Sequence, residues 1–273
     1  MPKSQADLAK QFQELHRSGS FIIANAFDAG SARVLAGLGF PALATSSGAF
    51  AGTLGRRDGK VTREEALAHA RAVAGAVELP VSADLENGFG HAPSFAAETV
   101  RLAAGTGLVG CTIEDTTGEK DRPLYDIGQA VERIAACVDA ARAVGFPFML
   151  TARSENFLRG NPDLDDTIKR LQAYEKVGAD VLMAPGLPDL AAVKAVCSAV
   201  SKPVNFMVGI PGKSFTVAEL ASAGVRRISL ATSLYRAAMT GLVAAAKEAK
   251  EKGTFGYVGS SIPSGELAGF MQG

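Results

Sequence analysis

Eight short apolar runs, each introduced by Gly, Pro or a polar turn, recur along this chain. Most of them end on polar side chains. In order they are SGSFIIANAFD, LGFPALATSS, VELPVSADLE, GLVGCTIED, VGFPFMLTAR, VGADVLMAPG, SKPVNFMV and GVRRISLATS. Helix-like stretches separate them. Eight strand–helix units in one chain predict a (β/α)₈ TIM barrel, in which chemistry sits at the C-terminal strand ends. Those ends carry Asn25, Thr45, Ser46, Ser47, Asp84, Glu86, Glu114, Arg153 and Asn205. Interiors such as FIIA, VLMA and ISLA are apolar on both faces, as a sheet buried on both sides requires.

A chain of 273 residues suits one such barrel, so residues 1–273 read as a single domain. Lys+Arg and Asp+Glu both number 28, and this charge balance argues against nucleic-acid or membrane-surface partners. The polar, amphipathic start has no apolar signal core, and no run approaches a membrane span. Cys111, Cys137 and Cys197 are far apart and fit reduced thiols of a cytoplasmic protein. Sequence cues place a first helix at Gln5–Arg17. The stretch Thr62-Arg-Glu-Glu65 reads as a capping box, and Gly178 as the stop of a helix led by Asp163. Long loops are expected at Ala49–Val61 and Asp115–Ile127, a length usual for functional lids. The tail after Lys252 carries Phe255, Tyr257, Leu267, Phe270 and Met271, which a partner subunit could cover.

Asp84 and Glu86 stand two apart at the end of the third run, so both carboxylates can share one face, and Glu114 ends the next strand. Three converging carboxylates repel one another unless a pKa rises or a divalent cation intervenes. Oxygen donors without His or Cys favour Mg²⁺ or Mn²⁺. The competing possibility is that these acids cap loops and pair with Arg or Lys. Arg153 at a barrel mouth suits two-pronged binding of a carboxylate, or an ion pair with Glu155. The Thr45-Ser46-Ser47-Gly48 segment offers hydroxyls and N–H groups. Asp58, in GRRDGK, reads by itself as a turn aspartate. His16 and His69 fall on helices away from the strand ends. His91 lies near the acids, with a helix start as the equal alternative. No lysine ends a strand, which argues against Schiff-base chemistry.

Together these segments resemble the isocitrate lyase/phosphoenolpyruvate mutase superfamily. The resemblance rests on TSSGAFAGTLGRRDGKVT, PVSADLENGFG, GCTIEDTTGEKDRPLYD, FMLTARSE, ADVLMAPG and GVRRISLATSLYRAA, and spans nearly the whole chain. It implies a Mg²⁺-dependent barrel enzyme that makes or breaks a C–C or P–C bond beside a 2-oxo or 2-hydroxy carboxylate, through a pyruvate-type enolate. Position by position, Asp84 matches a direct metal ligand, and Glu86 and Glu114 match acids that reach the metal through water. Asp58 matches a loop aspartate beside the reacting group, which replaces its reading as a turn residue. Thr45, Ser46 and Ser47 match the segment binding the substrate carboxylate and oxo oxygen. Arg153 matches the residue that grips the substrate, and Asn205 a polar group of the lyase branch.

The loop TGEKDRPLYD departs from the Lys-Lys/Arg-Cys-Gly-His lid of isocitrate and methylisocitrate lyases, which argues against those two activities. It shares only Lys120 with the Lys-x-Asn-Ser lid of the phosphonate enzymes. The expected function is a C–C lyase for a small 2-oxo or 2-hydroxy carboxylate, with Asp58, Glu114, Lys120 and Arg153 in catalysis. The alternatives are P–C cleavage, decarboxylation of a 2-oxo acid, and a carboxylate-binding protein without catalysis. The resemblance also implies a homotetramer with the C-terminal helix, within the tail at about 253–273, exchanged between subunits.

Overall fold

A computed structural model of the protein describes residues 3–271. Its eight strands are β1 (Phe21–Asn25), β2 (Leu43–Ala44), β3 (Val81–Asp84), β4 (Gly110–Glu114), β5 (Met149–Arg153), β6 (Val181–Met183), β7 (Val204–Met207) and β8 (Arg227–Ser229). All pair in parallel with their sequence neighbours, and β8 closes on β1, giving the expected (β/α)₈ barrel. Each of the eight predicted runs contains one strand.

The helices are α1 (Gln5–Leu15), α2 (Ala29–Gly37), α3 (Ser47–Thr53), α4 (Arg63–Gly75), α5 (Pro93–Ala104), α6 (Ile127–Arg142), α7 (Leu164–Lys176), α8 (Leu190–Ala199), α9 (Val217–Ser222), α10 (Ser233–Lys252) and α11 (Ser264–Phe270). The capping box opening α4 is present in full: Thr62 accepts from Glu65 N, and the Glu65 side chain accepts from Thr62 N. Asp163 caps α7, and Gly178 just beyond it takes φ +102°, as the sequence cues require. The first long loop is shorter than expected, because Ser46 accepts from Ala49 N and starts α3 inside it.

Two apolar layers hold the barrel. The larger lies between strands and outer helices and includes Leu43, Val81, Ile113, Leu150, Leu182, Phe206 and Ile228. The smaller fills the lower interior, where Phe12 and Ala9 of α1 close the bottom against Phe21, Ile23, Ala42, Met149 and Val181. Strand registers set the inward side chains in layers of four from alternate strands. The mouth layer is Asn25, Asp84, Arg153 and Met207. Below it come Ala44, Thr112, Met183 and Ser229, and then Ile23, Ser82, Thr151 and Asn205. Bulky branched residues usually fill these positions. Here most are small or polar, so the centre stays open.

The twenty residues of α10 include none that is buried, and Met239, Leu242 and Val243 on it are exposed. Beyond it, α11 packs on α2, where Phe270 lies over Gly37 and Arg33 Nη1 donates to the Met271 carbonyl at 2.6 Å. Among the described residues, no helix is long and apolar enough to cross a membrane.

Candidate active site

A cavity of about 760 Å³ opens at the C-terminal strand ends and runs down into the barrel. Thr45, Ser46, Ser47, Asp58, Asp84, Glu86, Glu114, Arg153 and Asn205 all line it, so the topology gathers these sequence candidates into one place. Lys120 is the exception. It is exposed on the loop after β4 and does not line the cavity; that loop contributes Thr116, Thr117 and Gly118 instead. Asn205 sits lower than expected: it is the second residue of β7, not its end, and is buried.

Asp84, the last residue of β3, is the best-anchored acid. Its Oδ2 accepts from Ser47 N (3.2 Å) and Ser47 Oγ (2.9 Å), and its Oδ1 accepts from Glu86 N (3.3 Å). Asp84 N in turn donates to Thr45 Oγ1 at 3.1 Å. The hydroxyls after β2 thus orient this carboxylate. Asp58 approaches from the loop after α3. Its carboxyl lies where a Cβ on Gly48 would be 3.2 Å from Oδ2, so only glycine leaves the approach free. Burial, with the nearby Asp84 charge, raises the Asp58 pKa.

Glu86 follows β3 in an unusual backbone. Glu86 (φ +50°) and Phe89 (φ +64°) are left-handed non-glycine residues, with Gly88 (φ +82°) between them. A Cβ on Gly88 would sit 2.8 Å from that of Ala96. Strained segments of this kind persist when their surroundings over-determine them. Here the clamp is Arg133 of α6, which donates to the carbonyls of Asn87 and His91 and lies 4.4 Å from the Tyr125 ring centroid. His91 joins the same cluster, its Nδ1 2.8 Å from Tyr125 Oη and its Nε2 3.6 Å from Glu119.

Charge is unbalanced at this mouth. Burial, then Asp84 and Asp58, push the Glu86 carboxyl up to about 7. Burial also drives Glu114 well above the carboxylate range, against the pull of Arg153. Arg153 meets Glu114 at 3.4 Å and also pairs with Glu155, so the ion-pair alternative for Glu114 is realised. Arg159 adds contacts to Glu114 (3.6 Å) and Glu155 (3.1 Å). Asp58, Asp84, Glu86, Glu114 and Glu155 thus outnumber the cations at the mouth among the described residues, Arg153, Arg159 and the exposed Lys60. Burial works against charge on Arg153, but Glu155 and Glu114 outweigh it and keep the guanidinium protonated. Arg153 hydrogen-bonds through Nε alone among the described residues, which leaves its terminal nitrogens open to an anion.

Sequence reasoning missed Arg159, Arg133 and Arg227. Arg159 follows a short 3₁₀ turn (Asn156–Leu158) that no motif announces. Arg227 carried a usable signal, since an arginine in phase with Ser229 on a barrel strand must point inward.

A parallel barrel with crowded carboxylates and an arginine at its mouth defines the class, and the comparisons agree. The family model described as phosphoenolpyruvate phosphomutase matches residues 12–250, and the chain belongs to that family, within the superfamily the sequence resembles. A crystal structure from Burkholderia cenocepacia J2315, provisionally described as a lyase/mutase, superposes with a TM-score of 0.96 at 49% identity, covering 98% of this chain and 97% of that one. Oxaloacetate decarboxylase 1 of Pseudomonas putida (strain W619) is 30% identical over 248 residues, 88% of this chain and 84% of its own length. The 2-methylisocitrate lyase of Escherichia coli (strain K12) is 32% identical over 209 residues, 73% and 69% of the two chains. These relatives are enzymes, lyases among them.

Proposed function

We propose that this protein is a Mg²⁺-dependent lyase that cleaves a C–C bond of a small 2-oxo or 2-hydroxy carboxylate through an enolpyruvate-like intermediate. The observation that carries this reading is the meeting of Asp58, Asp84, Glu86 and Glu114 with Arg153 around one cavity. Surplus carboxylate charge and an all-oxygen donor set suit Mg²⁺ or Mn²⁺. Among the described residues, no three acidic, His or Cys side chains are grouped closely enough to hold an ion. In this reading Asp84 would be the one direct ligand, with Glu86 and Glu114 acting through water. When bound, the cation would supply Lewis-acid stabilisation of an enolate oxygen.

The chain's own groups have separate tasks in this reading. Arg153 holds a substrate carboxylate through its free terminal nitrogens. Thr45, Ser46 and Ser47 line the side facing the carboxylate and oxo oxygen, although Ser46 also caps α3 and Ser47 also orients Asp84. Asp58, whose carboxyl pKa is raised by burial and by Asp84, is placed to exchange a proton at the reacting carbon. Lys120 has no part in the chemistry in this arrangement.

Decarboxylation of a 2-oxo dicarboxylate is a second reading with an observation in its favour. The loop after β4 brings threonines and a glycine to the cavity, with no acid, and loss of CO₂ requires no proton donor to the leaving group. A screen of 2-oxo acids, 2-hydroxy acids and phosphonates with Mg²⁺ or Mn²⁺ separates the readings by release of pyruvate or glyoxylate, CO₂, or phosphate. Oxalate binding without turnover of any compound would favour a carboxylate-binding protein. We further propose a homotetramer that covers the exposed face of α10, tested by sedimentation at micromolar concentration. A monodisperse monomer would contradict it.

A further inference from the structure

The floor of the cavity holds a cation that the proposed chemistry does not use. Arg227 opens β8, lines the cavity and is 3% exposed. Its Nε donates to Asn205 Oδ1 (2.9 Å) and its Nη2 to Thr151 Oγ1 (2.8 Å). Nη1 lies 3.5 Å from His16 Nε2. The His16 Nδ1 is 2.7 Å from the Phe12 carbonyl, which can only accept, so Nδ1 carries the proton and Nε2 faces Arg227 as an acceptor. Burial and the Arg227 charge push the His16 pKa down to about 3, so that ring is neutral.

Every partner of Arg227 is therefore neutral. The contrast with the other buried arginines is direct. Arg153 pairs with Glu114 and Glu155, and Arg170 with Asp115 (3.1 Å) and Asp166 (2.8 Å). For Arg227, burial alone lowers the pKa, to about 9, and among the described residues no acid offsets it. It still carries its charge at neutral pH. The end of α1 beneath it offers only the partial negative charge of a helix C-terminus. A buried charge is ordinarily paired. Ser229, whose Oγ accepts from Asn205 Nδ2 at 3.0 Å, adds a hydroxyl on the cavity side.

We infer that the floor of the cavity is a carboxylate subsite, with Arg227 as its cation and Ser229 and Asn205 beside it. The carboxylate comes either from the far end of the substrate or from a separate small carboxylate. The site stands apart from the acids at the mouth, and its test needs no metal.

The probe is formate, the smallest carboxylate, added to the full chain in EDTA at constant ionic strength. Binding is read from melting temperature against formate concentration and from broadening of the formate carbon resonance. Wild type should bind, and Arg227→Met should bind at least about tenfold more weakly. Asn205→Asp places a carboxylate where Oδ1 already accepts from Arg227. It should abolish the formate response while raising the melting temperature, so the test survives if Arg227→Met folds poorly. Repeating the titration with saturating Mg²⁺ and oxalate identifies the source: displacement of formate assigns the floor to the substrate, and joint binding assigns it to a separate anion. Formate binding by wild type without any Mg²⁺ or oxalate binding would sink the proposed function and leave the floor site standing. Equal formate responses in wild type and both variants, or none up to 100 mM (roughly the weakest range of interest), would overturn the inference and leave the helix end as the counter-charge.

Discussion

Replacing Glu86 by Gln tests the electrostatics of the mouth most directly. The Glu86 side chain makes no hydrogen bond among the described residues, so an amide leaves no partner unmet. Both residues meet the same backbone strain at φ +50°, so that contribution cancels. What changes is charge. The Glu86 carboxyl titrates near 4.5 when unfolded and is pushed up to about 7 when folded, by burial, Asp84 and Asp58. Between these values the folded protein keeps a proton that the unfolded chain has lost. Stability without metal therefore falls as pH rises from about 4.5 to about 7, then levels off. Each pKa unit is worth about 1.4 kcal/mol. Screening at the open mouth brings the expected loss to about 2 kcal/mol.

Glu86→Gln lacks this loss. In EDTA its melting temperature should match wild type at pH 4 (about one half-unit below the free carboxyl) and exceed it by about 4–8 °C at pH 8. With Mg²⁺ at pH 8 the difference should shrink, because the cation relieves the same repulsion in wild type. Parallel pH curves for the two proteins in EDTA would refute the reasoning and return Glu86 to an ordinary surface acid.

Three further outcomes are expected. Asp84→Asn should weaken Mn²⁺ binding at least about tenfold by spin resonance, while the melting temperature in EDTA stays level or rises, because relief of repulsion offsets a disturbed bond to Ser47. Arg133→Met should cost about 1–3 kcal/mol, since the partly buried carbonyl contacts to Asn87 and His91 lose their donor, and should speed hydrogen exchange across residues 86–91. Gly48→Ala should lower turnover at least about tenfold at a stability cost near 1 kcal/mol, because its Cβ would meet Asp58 Oδ2 at 3.2 Å and Thr232 Cγ2 at 3.1 Å.

The barrel was readable in the sequence because its signal is repeated eight times, and an error in one unit leaves the pattern intact. Asp84 and Glu86 were readable because two-residue spacing on a strand end dictates a shared direction. The loop after β2 was harder. Ser46 begins a short helix there through a single hydroxyl–amide bond, and GAFAGT has no apolar stripe to announce it. Lys120 was assigned from its place in a lid pattern, but loop conformation is set by packing rather than by spacing. The Thr116–Leu124 bridge and Arg133 under Tyr125 determine which side chains of that loop reach the cavity. Asn205 was taken for a strand end because NFMV reads equally well with its polar residue at either edge. Arg159 lies on a short turn whose direction nothing local decides.

The features hardest to read are also those that oppose folding. Left-handed Glu86 and Phe89, acids crowded around Asp84, and the uncompensated Arg227 all sit inside or around the cavity. Apart from Phe89, which packs against its edge, none belongs to the apolar layer between strands and helices, where Leu43, Val81, Ile113, Leu150 and Leu182 are fully buried or nearly so. In this barrel the outer layer supplies stability, and the interior, left open by Ala44, Ser82, Thr112 and Ser229, tolerates unfavourable charge. Filling that interior with branched apolar side chains would stabilise the protein and close the cavity. The small residues below the mouth are therefore as much a part of the site as the acids above them. A double change such as Ser82→Val with Thr112→Val should raise the melting temperature while removing oxalate binding. A gain in stability with binding intact would show that the ligand stays at the mouth and that the lower cavity takes no part.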